Sequence, residues 1–200
     1  MIAPLPAGVL ADSRGIGLVE LIIYSMLLVI VTFIAGSLLI TSLTSQRDIT
    51  AMGSATSRAQ VVVASIEDGV RTASQVTVPT ASAIGQRLIT RTGTFTAAGV
   101  ATWECRSWLI APTGNVYYRT AQTAIAAPTS LSAANLAGWS LITEGVKTAP
   151  GAGSAFIVSS STLSVAIEVV AGSDGAPALV KNRITKQVLP TTTGTGPSTC

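Results

Sequence analysis

The sequence predicts an α+β fold, one long N-terminal helix packed on an antiparallel β-sheet. Three observations carry this. Leu21 to Thr44 is a run of 24 residues without a charge. From Ile49 onward the apolar residues return at intervals of three or four, the period of one helix face. Beyond Pro79 the period changes to two, which is that of a strand with one buried side.

The apolar run would be about 36 Å long as a helix, enough to cross a hydrocarbon core of about 30 Å. The stripe that follows comprises Met52, Ala55, Ala59, Val62, Ile66, Val70 and Ala73, widened by Val63. Arg47, Asp48, Arg58, Glu67, Asp68 and Arg71 are distributed around it. The two segments read as one helix from about Gly17 to Gln75, with Gly36 and Gly53 as weak points where it bends or unwinds. Val76-Thr77-Val78-Pro79 ends it, being β-branched and then broken by proline.

Arg87 to Thr92 is a short strand candidate. Val100–Ile110 and Val116–Thr120 flank Pro112-Thr113-Gly114-Asn115 and read as a hairpin. On its first arm strict alternation places Trp103 and Cys105 on one face and Trp108 on the other, with a bulge as the alternative. Thr129 to Leu136 reads as a short helix capped by Thr129 or Ser130. Trp139 to Val146 is the next strand. A last hairpin follows, in which Leu163, Val165, Ile167 and Val169 alternate with polar or small residues, Gly172-Ser173-Asp174-Gly175 turns the chain, and Leu179–Val188 returns. Four to six antiparallel strands on the Met52–Ala73 stripe would make a single domain.

Two hundred residues support one such domain beyond the membrane-length helix. Aromatics are 4% of the chain, so Ala, Val, Ile and Leu must do most of the packing. Charged residues are only 10%, unlike a typical cytosolic enzyme and in keeping with a surface-exposed β-rich protein. The formal charge is +3, and no dense basic run marks a nucleic-acid or wall-polymer partner, so a solvated, slightly basic face is the simpler reading.

One short run carries more. Arg14-Gly15-Ile16-Gly17-Leu18-Val19-Glu20 opens the apolar stretch. A secretory signal would have a shorter apolar core, about 7–15 residues, with its small-residue cut after that core; here the good small-residue site precedes it. The run resembles the class III signal of type IV prepilins, although Ile16 stands where phenylalanine is usual and Gly17 where threonine is usual. The resemblance implies that prepilin peptidase cuts after Gly15 and that the new amine of Ile16 is methylated. It also implies that Glu20 sets axial register by meeting the amine of a neighbouring subunit. On physical grounds a carboxylate at that depth costs about 2–3 kcal/mol unless offset, and the amine of Ile16 lies one helical turn away. The other reading of Glu20 is a headgroup-level residue of an ordinary signal anchor.

The resemblance implies the pilin architecture for the whole chain. Residues 1–15 would be the leader and 16–44 the transmembrane and filament-core helix. Residues 45–75 would be its amphipathic half, 76–190 the sheet part and 191–200 a flexible tail. Arg58 to Ser74, Trp103-Glu104-Cys105 and Lys181-Asn182-Arg183 look more loosely like W-type minor pilins and J-type pseudopilins. The expected partners are prepilin peptidase, other pilin subunits and the membrane, the chain crossing once with its N-terminus cytoplasmic before passing to a surface filament. Two other functions remain open: a membrane-anchored binder of DNA or a wall polymer, and a pseudopilin of a type II secretion machine.

Cys105 and Cys200 are too far apart for C-x-x-C redox or zinc patterns. Outside the membrane a disulfide between them is allowed, the alternative being a buried thiol and a frayed, reactive one. No histidine is present, which removes Ser-His-Asp and H-E-x-x-H schemes, and four carboxylates from Val76 to Cys200 leave little scope for an acid/base pair or cation cage. The expectation is no enzyme activity, no cofactor and no metal. Trp103 and Trp108, with Arg106 between them, suit stacking on sugars or bases; the competing reading is that both indoles belong to the core.

Overall fold

The computed structural model describes residues 17–95, 101–170, 177–187 and 194–200. The chain divides into two compact units, residues 1–46 and 47–200. A 54-residue helix, α1 (Leu18–Arg71), supplies the described structure of the first and the helical layer of the second, running unbroken through Gly36 and Gly53. Glu20 in its first turn and Arg71 in its last match the helix dipole in sign.

In the second unit α1 buries Ala55, Ala59, Val62, Val63, Ile66, Gly69 and Val70, most of the stripe that the three-and-four spacing predicts, but Met52 at its expected start is 51% exposed. The helix ends at Arg71, four residues before the expected Gln75. Its last carbonyls are taken by groups from the sheet and the turn. Thr92 Oγ1 donates to Gly69 O at 3.0 Å, Thr72 Oγ1 to Asp68 O at 3.1 Å, and Gln187 N to Arg71 O at 3.1 Å. With those groups satisfied, Ala73 to Thr77 joins the sheet as β1.

The first sheet has the order β1, β2 (Gln86–Phe95), β3 (Ala101–Ile110), β4 (Val116–Ala121), β5 (Ser140–Thr143), all antiparallel. β2 is longer than the expected Arg87–Thr92 because it pairs with β3 over its whole length, Gln86 opposite Ile110 and Phe95 opposite Ala101. The β3–β4 hairpin turns through Gly114, whose φ of 89° suits glycine. β3 itself carries no bulge, so strict alternation holds along it.

The second sheet centres on β8 (Thr162–Val169), flanked on one side by β9 (Ala178–Thr185) and on the other by β6 (Val146–Thr148) and β7 (Phe156–Ser159) in turn. Leu163, Val165, Ile167 and Val169 all point into one core with the α1 stripe, Leu88 and Trp108. The α+β class therefore holds, with a helix covering two sheets rather than one. Ten strands are present among the described residues, against the four to six expected.

Two further expectations are corrected. Trp139–Val146 is not one strand: the chain leaves the first sheet after β5 and enters the second at β6, turning at Gly145 with φ 79°. A Cβ there would lie 2.4 Å from Val170 O, so the crossing requires glycine. Thr129–Leu136 forms turns, not a helix. Leu136 N reaches Ser132 O at 3.0 Å, but the next bonds span three residues and Gly138 at φ 81° stops the segment. The Gly172–Gly175 turn lies outside the described residues, as do Val100 and Val188.

Candidate functional site

The first unit is a site in the sense of a surface. From Leu18 to Leu43 its large apolar side chains are exposed, Leu18 and Phe33 at 77% each. The helix is long and apolar enough to cross a membrane in a single pass. Its polar groups are arranged to suit that. Ser25, Thr32, Ser37, Thr41 and Thr44 turn their hydroxyls back onto carbonyls three or four residues earlier, at 2.7–2.9 Å. Each hydroxyl is thereby satisfied without water, which is what a hydrocarbon surrounding or a dry helix bundle demands.

Glu20 stands in the first turn and accepts a hydrogen bond from Tyr24 Oη at 3.2 Å. Tyr24 drew no attention in the sequence; the i, i+4 spacing was its only signal. Gly15 and Ile16, the expected cleavage and methylation positions, lie outside the described residues.

In the second unit the candidate ligand residues fall on opposite faces of β3. Trp108 faces α1, fully buried, with Nε1 donating to Ser65 Oγ at 2.9 Å and its ring 5.3 Å from that of Tyr118. Gly69 makes room for it: a Cβ there would sit 2.3 Å from Trp108 Cη2. Trp103 faces away from α1, 2% exposed, with the Arg91 guanidinium 4.1 Å from its ring centroid. Gly93 allows this approach, since a Cβ there would meet the indole at 2.6 Å.

Arg106 lies on the same face as Trp108 and is held by two carboxylates, Glu104 at 2.6 Å from Nε and Asp68 at 2.6 Å from Nη1. Burial works against its charge, yet the bonds to Glu104 and Asp68 outweigh it and the pKa is raised. Neither indole leaves a face open for stacking and the guanidinium between them is already paired. Trp108 is core, Trp103 is covered, and Arg106 ties α1 to the sheet.

The outer face of the first sheet is closed by the C-terminal tail and the 122–139 segment. Cys105 and Cys200 are joined by a disulfide, Cα atoms 5.6 Å apart. Gly194–Thr195 adds to β3 as a short parallel strand, β10, opposite Ala101 and Thr102. Arg91 Nε donates to Pro197 O at 2.5 Å and Arg91 Nη1 to Ser74 Oγ at 3.0 Å. The described part of the tail, residues 194–200, is thus anchored at three points. Arg91, like Tyr24, is a residue that sequence reasoning missed; only the register that sets it opposite Cys105 reveals it. Cys105, Leu109, Ile125 and Trp139 form a second small core beneath this cover.

A cleft of about 300 Å³ near Gln86, Pro112 and Lys147 has no carboxylate in its wall. Gln86, which borders it, is engaged internally with Thr148, Ser154 and Ala155. No cluster of three or more His, Cys, Asp or Glu occurs among the described residues. Comparison with family models, curated proteins and solved structures yields no match.

Proposed function

We propose that the chain is a structural subunit, of the minor kind, of a type IV pilus or pilus-like filament. It waits in the membrane as a single-pass protein and is processed by prepilin peptidase after Gly15. It is then assembled with other pilin subunits through its N-terminal helix. One observation supports this above the rest: a single helix is apolar and uncovered over its first half and packs against the sheets over its second. A subunit extracted from lipid into a bundle of like helices exchanges one apolar surrounding for another, so extraction does not expose the helix to water. Glu20 is the element that this exchange would use for register. The first sheet, with its outer side held by the disulfide-linked tail, and the second sheet together form the head.

Intact mass and N-terminal sequencing of the protein from its native envelope test the reading. A chain that begins at Ile16 and is heavier by one methyl group is the expected result. A chain that still begins at Met1 refutes it and moves a permanently anchored surface protein to first place.

A further inference from the structure

Five hydroxyls in the apolar segment share one habit, and a sixth departs from it. Those of Ser25, Thr32, Ser37, Thr41 and Thr44 donate to backbone carbonyls, whereas Tyr24 Oη donates to the Oε1 of Glu20 at 3.2 Å. The two residues are one turn apart, about 6 Å along the axis. Tyr24 lies four residues farther into the apolar run than Glu20 and is itself exposed. A phenol of this kind keeps its ring in an apolar surrounding and its hydroxyl toward a polar one. Here the polar partner is supplied by the chain itself.

A glutamate side chain on an exposed helix face samples several rotamers, and holding it in one costs up to about 1.5–2 kcal/mol of side-chain entropy. A donor fixed one turn away removes part of that cost in advance. It occupies one carboxylate oxygen and leaves Oε2 without a hydrogen bond among the described residues. It also supplies a partner where lipid supplies no water, so the carboxylate is not orphaned before assembly.

We propose that Tyr24 is a positioning residue: it holds the Glu20 carboxylate in one orientation so that the free oxygen receives the N-terminal amine of an adjacent subunit. The proposal rests on the filament-subunit reading. Tyr24 acts only through Glu20, contributes no contact of its own to the amine, and has no part in leader cleavage.

The test uses the full chain in its native envelope. Tyr24→Phe keeps the ring and removes the hydroxyl. Its cleavage should equal that of the unaltered chain. Its ratio of filament to membrane-held protein should fall about tenfold or more, the scale of one hydrogen bond to a charged group. Combined with Glu20→Gln, Tyr24→Phe should cause no additional fall. A spectroscopic arm reports on the orientation directly. In phosphatidylethanolamine/phosphatidylglycerol vesicles, the infrared difference between the unaltered chain and Tyr24→Phe should contain a carboxylate band that vanishes when both carry Glu20→Gln. Normal incorporation of Glu20→Gln would overturn the register role and with it the filament reading of that residue. Impaired Glu20→Gln beside normal Tyr24→Phe, or the absence of the carboxylate band, would overturn the positioning role alone. A fall of equal size in the Glu20→Gln background would also overturn it, because the hydroxyl would then act through packing. Where Glu20→Gln leaves too little filament to measure, the infrared band decides.

Discussion

Gly69→Ala is the sharpest perturbation of the packing between α1 and the first sheet. Alanine in a helix is ordinarily better than glycine by about 0.5–1 kcal/mol, so propensity alone predicts a gain. The contact geometry predicts the reverse. The added methyl would lie 2.3 Å from Trp108 Cη2, 3.0 Å from Cζ2 and 3.3 Å from Cζ3. Restoring ordinary contact requires the ring to move by roughly 1 Å or more. That ring is fully buried and pinned by its bond to Ser65 and by the Tyr118 ring. Overpacking of this kind costs about 1–3 kcal/mol, and losing the Ser65 bond adds about 0.5–1.5 kcal/mol. After the propensity gain, the net expectation is a destabilisation of about 1–3 kcal/mol, or roughly 2–10 °C in Tm. Gly53→Ala is the control, on the same helix with nothing within 4 Å of its Cβ position, and should be neutral or slightly stabilising. The assay is thermal unfolding of both variants in detergent, followed by tryptophan fluorescence. A Gly69→Ala protein as stable as Gly53→Ala would refute the argument that Gly69 exists to admit Trp108.

Reduction of Cys105–Cys200, or Cys200→Ser, opens a loop of sequence separation 95. The chain-entropy model predicts a loss of about 4–5 kcal/mol, measurable as a drop in denaturant midpoint with and without reductant; an unchanged midpoint would show that the tail is dispensable. The two carboxylates on Arg106 should differ in weight. Glu104 is 24% exposed and Asp68 72%, so Glu104→Gln should cost about 1 kcal/mol and Asp68→Asn less than about 0.5 kcal/mol, in urea unfolding, and equal costs would contradict the ranking. Burial raises the pKa of Tyr118, and this outweighs the opposing pull of Arg106. A raised folded-state pKa means stability that is intact below the ordinary tyrosine range and lost as pH rises through it to the folded value. The unaltered protein should therefore lose stability at alkaline pH more steeply than Tyr118→Phe, and parallel curves would refute this.

The long helix, its buried stripe and the alternating inner face of β8 were all legible from residue order, because a helix face and a strand face are local periods that no distant partner is needed to set. Glu20 was legible for the same reason, as a charge interrupting an otherwise apolar run. The fate of Ala73–Gln75 was not. Those residues continue the helical spacing, yet pairing with β2 and the capping of Arg71 by Gln187 make them strand. Trp139–Val146 alternates like one strand, but Gly145 sends its two ends to different sheets. Alternation did place Trp103 and Trp108 on opposite faces of β3. It did not say that both faces are covered, one by α1 and the other by a tail arriving from nearly a hundred residues downstream. Sheet membership, the Cys105–Cys200 bond and the Arg91–Trp103 stack depend on which segments meet, and that is settled by non-local register and burial rather than by any property of a window of neighbouring residues.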